Sequence, residues 1–168
     1  AKSWAELAGT TVTAVTSSGA ADPAALATYG ADRIVTIALA ATPYGIAQQL
    51  AAISEGAAGM VIAGTSIGRS IAPALAALAG GALSTNTTSV PTGTAPVTVV
   101  RGAFSSKGIE TIELIGGLPM VSFVPNSVGI QERAGAGAVE SMDTTGTDLL
   151  QVTEKTIASG KVALPEAE

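Results

Sequence analysis

The apolar positions of the chain follow two rhythms, and the rhythm changes about halfway along. In the first half, short β-branched runs alternate with stretches whose apolar residues recur every three or four positions. Thr10–Val15, Arg33–Leu39 and Gly59–Ala63 read as strands, and the pattern predicts helices over about 22–30, 43–55 and 67–79. Asp22-Pro23 opens the first helix, with Asp22 as N-cap and Pro23 in the first turn, where its lack of an N–H costs nothing. Gly30 closes it in the left-handed conformation that a helix end needs. Thr42-Pro43 repeats the cap-plus-proline device. Ile46, Leu50 and Ile53 then share one helical face, and Ile67, Ile71, Leu75 and Leu78 form the apolar stripe of the next helix. Pro73 removes the partner of the Arg69 carbonyl, so this helix is expected to begin near Ile71 or to kink there. Gly80-Gly81 ends it, and Leu83–Val90 is a further extended stretch.

Strands that alternate with helices imply right-handed crossovers and a parallel sheet covered on both faces. The expected class is α/β, a mainly parallel, Rossmann-like three-layer sandwich in which Arg33–Leu39 and Gly59–Ala63 are neighbouring parallel strands. Ser3–Leu7 reads as the end of a helix with no strand before it, so an N-terminal segment is expected to be lacking from the sequence. In the second half Val97–Phe104, Gly108–Ile115 and Met120–Val124 are β-rich, and their connections are too short for parallel crossovers. Antiparallel additions from 97 to 125 follow. Beyond them lie the Gly/Ala-rich Ala134–Ala138, a candidate edge strand at Thr147–Ile157 and a loose tail at Ala163–Glu168. The chain therefore divides into a domain at 1–128 and an extension at 129–168.

Composition narrows the function. The 168 residues suit one domain. Apolar residues make up 47%, aromatics 3% and charged residues 12%, the last about half the usual share. A surface so poor in charge points to a face covered by a partner. The net charge is −5 and the eight bases are scattered, which leaves no footprint for nucleic acid or anionic lipid. Cysteine and histidine are both absent, and with them disulfides, thiolate nucleophiles, Cys/His zinc sites and imidazole bases. No apolar run is long enough for a membrane span, and the first residues lack the apolar core of a signal peptide. An intracellular location fits.

The strongest candidate site is Gly64-Thr65-Ser66-Ile67-Gly68-Arg69-Ser70, between an apolar strand and a helix. Glycines allow close backbone approach, free N–H groups at a helix start favour an anion, and Thr65, Ser66, Arg69 and Ser70 add donors and a charge. A phosphate-binding turn at the carboxyl end of a parallel strand is built this way. The alternative is a tight turn in which Ser66 caps the helix and Arg69 is solvated, and patterning alone favours it. Arg101 and Lys107, with Phe104 between them, offer a second grip for a phosphate or an acidic partner, or else a solvated loop. Glu110 and Glu113 point to opposite faces of a strand and are no catalytic pair. Tyr29 and Tyr44 fall on predicted helices, where packing at the core edge is the default. No carboxylate spacing suggests a metal cage.

Several of these pieces, in order, resemble the N-terminal domain of electron transfer flavoprotein alpha subunits. Met60–Leu78 is similar to that family's stretch of strand, small residues, Gly-Arg or Gly-Lys, and an Ala-rich helix opened by proline. Tyr29-Gly30-Ala31-Asp32-Arg33-Ile34 looks like its Gly-Ala-Asp entry into a strand. Arg101–Thr111 and Pro119–Asn126 resemble its later segments, and the match runs over roughly Ala5–Val128. Ala74 and Val124 stand where the family has arginines, and Ser84-Thr85 where it has Ser-Asp. The resemblance implies an adenine nucleotide hydrolase-like fold, no acid–base or nucleophilic catalysis, and docking on a beta-type subunit, with acyl-CoA dehydrogenase-like donors or a quinone reductase acceptor. It also implies FAD in the assembled complex, bound mostly by a C-terminal domain whose signature does not follow Ser127, and AMP in the beta subunit. A cytoplasmic or mitochondrial-matrix location goes with it. Interface residues are expected among Arg101, Lys107, Phe104, Ile115, Leu118 and Phe123. The competing readings are an autonomous adenine-nucleotide-binding module holding phosphates at Gly64, Thr65, Ser66, Gly68, Arg69 and Ser70, and a purely structural oligomer.

Overall fold

Local chemistry places the helix starts. Asp22 accepts a hydrogen bond from the Ala25 amide at 3.2 Å, and the Thr42 hydroxyl accepts one from the Gly45 amide at 3.2 Å, each just ahead of a proline. In the computed structural model, which describes residues 1–149 except 106 together with 151, 153, 154 and 156, the chain runs α1 (Lys2–Leu7), β1 (Thr13–Ser17), a 3-10 helix (Pro23–Thr28), β2 (Arg33–Ile37), α2 (Pro43–Ile53) and β3 (Met60–Ala63). It continues through α3 (Ser66–Ala79), β4 (Gly81–Thr87), β5 (Val97–Ala103), β6 (Gly108–Leu114), β7 (Leu118–Phe123) and β8 (Ala138–Ser141). The segment after Asp22 is a 3-10 helix because it is short and buries no residue that would hold a longer α-helix against the sheet.

The strands form two sheets. One has the order β1-β2-β8 and is parallel throughout. The other has the order β3-β7-β4-β5-β6, with β3, β7 and β4 parallel and β5 and β6 added antiparallel. Met120 and Val121, consecutive on β7, face opposite sides. Met120 joins Ile46 and Ala47 of α2 and Ile71, Leu75 and Ala76 of α3. Val121 joins Val97, Val99 and Trp4 of α1. Helices thus cover both faces, and the mostly parallel α/β class is as expected, but the antiparallel additions end with β6: β7, expected among them, runs parallel to β3 and β4.

Several details correct the expectation. β2 and β3 are not neighbours: β2 lies between β1 and β8, and β3 pairs with β7. A crossover helix sets the hand and direction of the returning strand, but not whether it lands next to the strand it left. The α3 helix begins at Ser66 and contains Pro73, so it does not start near Ile71. Its buried face is Gly68, Ile71, Ala72, Leu75 and Ala76, while Ile67 is 64% exposed and Leu78 is also exposed. The buried face is thus centred on small residues to one side of the expected stripe, and the two ends of that stripe face outward. Tyr29 is exposed. The edge strand expected at Thr147–Ile157 falls partly on residues 150, 152, 155 and 157, outside the described residues, and the described ones there form no strand. The tail at Ala163–Glu168 also lies outside them. The strand that the extension does supply is β8, fastened to β2 by the Arg33–Glu140 ion pair and by the Thr36 hydroxyl, which donates to the Glu140 carbonyl at 3.2 Å.

Candidate functional site

The turn at Gly64–Ser70 leaves the carboxyl end of β3 and enters α3. The Gly64 amide donates to the Phe123 carbonyl at 2.8 Å, which extends the β3–β7 ladder by one step. A side chain at Gly64 would strike that same carbonyl, and one at Gly68 would run into the carbonyl oxygen of Ala63. Both glycines are therefore required by the close approach of helix and strand, whether or not a ligand is present. The N-cap is Thr65: its hydroxyl accepts from the Gly68 amide at 3.2 Å. Ser66, expected to cap, is instead the first helical residue, one position too late to reach the free amides.

Two further donors of the turn bond within it. Arg69 is exposed, yet its Nε donates to the Gly64 carbonyl at 3.0 Å. The Ser70 hydroxyl donates to the Ser66 carbonyl at 3.1 Å. Beside the turn lies an open cleft of about 250 Å³ lined by Gly64, Thr65, Phe123, Val124 and Asn126 among others. Small-molecule sites occupy roughly 300–1,000 Å³. The cleft lies below that range, and the Thr65 hydroxyl, the Arg69 Nε and the Ser70 hydroxyl are each bonded to backbone groups of the same turn. These residues do not fit the flavin by themselves.

Arg101 and Lys107 belong to a different part of the molecule. Arg101 on β5 stands opposite Glu110 on β6, and the two side chains form an ion pair. Lys107 lies exposed in the turn between those strands, its amide donating to the Phe104 carbonyl at 3.2 Å. The sheet order puts β6 at the opposite edge from β3, with β7, β4 and β5 between them. The two groups of candidate residues are not brought together.

Around Arg101 and Lys107 the surface is apolar. Phe104, with a φ of 50°, is 84% exposed, and Ile109 is 81% exposed. Both sit at the tip of the β5–β6 hairpin. Ile115 is exposed at the hairpin's other end, beside a cleft of about 450 Å³ lined by Pro96, Val97, Leu114 and Pro119. Leu118 and Phe123 are half-buried and help to form the domain core.

One constellation has no sequence signal. Asp148 accepts from the Ala41 amide at 3.0 Å, from the Thr42 amide at 3.2 Å and from the Thr42 hydroxyl. Gln49 accepts from the Ala40 amide at 2.9 Å and donates to the carbonyls of Ala38 at 2.8 Å and Thr144 at 3.1 Å. Gln48 accepts from the Thr147 amide at 2.7 Å. Residues 144–148 thereby lie as a strap across the start of α2. The Thr42 hydroxyl, and then the two amides, hold the Asp148 carboxyl below its ordinary range against the opposing effect of desolvation. The partners are more than a hundred residues apart, beyond the reach of any local pattern.

Among the described residues no group of three or more acidic, histidine or cysteine side chains could hold a metal, and no helix is long and apolar enough to cross a membrane. No curated protein matches the chain at a significant level. The profile of the electron transfer flavoprotein domain does match it, over residues 1–146, which take in all the strands and helices described above. The chain belongs to the electron transfer flavoprotein family, whose members are flavin-associated components of electron transfer.

Proposed function

We propose that this chain is an alpha-type scaffold domain that docks a beta-type electron transfer flavoprotein subunit and supports electron transfer by an FAD held mostly by another domain or chain. The observation that carries the reading is the hairpin tip, where Phe104 and Ile109 expose large apolar side chains on an antiparallel addition to the sheet. Aromatic and aliphatic residues ringed by Arg and Lys are what an interface core and rim require. Arg101, already neutralised by Glu110, can be covered without leaving an unpaired buried charge, and Lys107 remains at the rim.

The chain's own part in the chemistry is positional, because flavin redox chemistry resides in the cofactor. The inward-facing donors at Gly64–Ser70 favour a structural turn over an autonomous nucleotide site. AMP belongs in this reading to the beta subunit, and acyl-CoA dehydrogenase-like donors or a quinone reductase acceptor to the assembled complex. A cytoplasmic or mitochondrial-matrix setting goes with those partners.

Co-expression with beta-type electron transfer flavoprotein subunits, followed by co-purification and sedimentation, tests the proposal. A stable heterodimer is expected. A strictly monomeric chain that ignores every beta-type subunit would overturn it and return the nucleotide module to first place.

A further inference from the structure

The β5–β6 hairpin has one covered edge and one open edge. Thr98 and Thr92 exchange backbone hydrogen bonds at 2.7 and 2.9 Å. The Val100 amide donates to the Ser89 hydroxyl at 3.0 Å, and the Val100 carbonyl accepts from the Thr88 amide at 2.9 Å. Thr98 and Val100 therefore turn their backbone groups away from β6. Backbone direction alternates along a strand, so Val97, Val99, Arg101 and Ala103 face β6 and ladder with Leu114, Ile112, Glu110 and Gly108 opposite them. The N–H and C=O of Ile109, Thr111 and Glu113 then point outward from β6, where no backbone group among the described residues meets them. Edges left open in monomers are commonly blunted by a proline, a bulge or a covering loop. β6 contains no proline, and its register with β5 runs without a bulge.

This edge is complementary to itself. When two copies of β6 lie antiparallel with Thr111 opposite Thr111, Ile109 comes opposite Glu113, and every outward residue meets an outward residue. Any other register matches fewer of them. No like charges then stand opposite one another. Glu113 faces Ile109, with Lys107 of that same copy one step further along the row. Glu110, already paired with Arg101, faces Ile112.

The two ends of the hairpin fit the same arrangement. Gly108 comes opposite Leu114 of the second copy, on the face that Ile112 and Leu114 turn toward the Trp4 cluster. The Phe104 ring lies over Gly108, 3.5 Å from where a Cβ would stand, and is 84% exposed. Leu114 lines the open cleft of about 450 Å³ together with Pro96, Val97 and Pro119. The pairing therefore carries the exposed ring of each copy to the apolar cleft of the other. The turn itself does not call for phenylalanine: Phe104 and Ser105 hold φ of 50° and 54°, which favours Asn or Gly over a bulky side chain.

We infer that β6 pairs antiparallel with β6 of a second copy about a two-fold axis at Thr111, and that Phe104 of each copy enters the Pro96–Leu114 cleft of the other. The interface is isologous and closes on itself as a dimer. It does not rest on docking of a beta-type subunit. It concerns the chain by itself, and the two partners compete for the hairpin.

Sedimentation of the chain alone over a concentration series tests this, and a monomer–dimer equilibrium is expected. As the dimer fills, hydrogen exchange at the Ile109, Thr111 and Glu113 amides should slow at least about fivefold, while Glu110 and Ile112, already laddered to β5, do not change. Thr111→Pro removes the outward amide at the axis without touching the inward ladder, and should weaken dimerisation at least about tenfold. Thr111→Val keeps that amide and should dimerise like the parent. Phe104→Asn suits the positive φ, preserves the fold and should also weaken the dimer at least about tenfold. A chain that stays monomeric throughout overturns the inference, and so does a dimer indifferent to both Thr111→Pro and Phe104→Asn. Outward amides that are protected only when a beta-type subunit is added also overturn it, because the edge then belongs to that partner. If Thr111→Pro loses the near-ultraviolet signal of buried Trp4, Phe104→Asn and the alternating exchange pattern of the parent decide the matter by the same criteria.

Discussion

Lys2 and Asp32 form a two-point ion pair in which the ammonium of α1 lies 2.9 and 2.8 Å from the two carboxylate oxygens at the entry to β2. The Val12 amide, just before β1, donates to the same carboxylate at 2.9 Å. One side chain therefore joins the first helix and the first two strands. The hydrogen bond from Lys2, followed by that from Val12, holds the Asp32 carboxyl below its ordinary value of 3.8.

The linkage has a definite sign. A carboxyl whose pKa is depressed in the folded state contributes stability that is complete above its unfolded pKa and is lost as pH falls through the folded one. Asp32→Asn should lower the urea midpoint at neutral pH. Below about pH 4 the parent should lose stability more steeply than the variant, so that the two converge. Denaturation curves measured from neutral pH to pH 2 check this, and parallel curves would count against the joint.

Three substitutions separate the roles within the Gly64–Ser70 turn. Gly68→Ala should cost about 1–3 kcal/mol, because its methyl meets the Ala63 carbonyl in a packed strand–helix contact. Thr65→Ala should cost about 1 kcal/mol through loss of the N-cap. Ser66→Ala should stay within about 0.5 kcal/mol. Chemical denaturation of the three variants reads the order directly, and a larger loss at Ser66 than at Thr65 would contradict the capping geometry.

At the hairpin tip stability and association should come apart. Ile109→Ser removes an exposed side chain and should leave the unfolding midpoint within about 0.5 kcal/mol of the parent. Its affinity for the beta-type subunit should fall by roughly tenfold or more if Ile109 is a buried anchor of the complex. Titration calorimetry on the parent and the variant measures the loss, and an unchanged affinity would move the interface elsewhere on the domain.

The isolated chain should pass through gel filtration without flavin. The cleft beside Gly64, about 250 Å³, lies below the range of small-molecule sites, and the Thr65 hydroxyl and Arg69 Nε beside it are already bonded within the turn. A yellow fraction with one flavin per chain would show that the site is assembled from this chain after all.

Asp148→Asn should loosen the strap over α2. The amides of Ala41 and Thr42 lose a charged acceptor, and their exchange should quicken while that of the β5–β6 hairpin does not change. Since the Asp148 carboxyl is also held below its ordinary range, the parent strap should loosen only as pH falls through that depressed value.

The features legible in the sequence share a short reach. Asp22, Thr42 and the glycines at 30 and 80 mark element ends because a cap or a left-handed residue acts on amides only a few positions away. The alternation of apolar runs showed α/β architecture, and the short connection between β5 and β6 showed that this pair turns back antiparallel, whereas β7 joins the parallel strands β3 and β4. The ordered series of small motifs pointed to the family that the domain match then established. Tertiary structure decided the rest. The separation of β2 from β3 depends on which strands reach each edge, and β8 is four residues with no patterned neighbour to announce it. Ile67 and Leu78 lie on the predicted stripe but turn outward, because the face that α3 buries is centred on Gly68, Ile71, Ala72, Leu75 and Ala76. The Lys2–Asp32 joint and the Asp148–Thr42 clasp join groups distant along the chain. Periodicity describes a residue relative to its near neighbours, whereas these contacts exist only once the whole layer has been assembled.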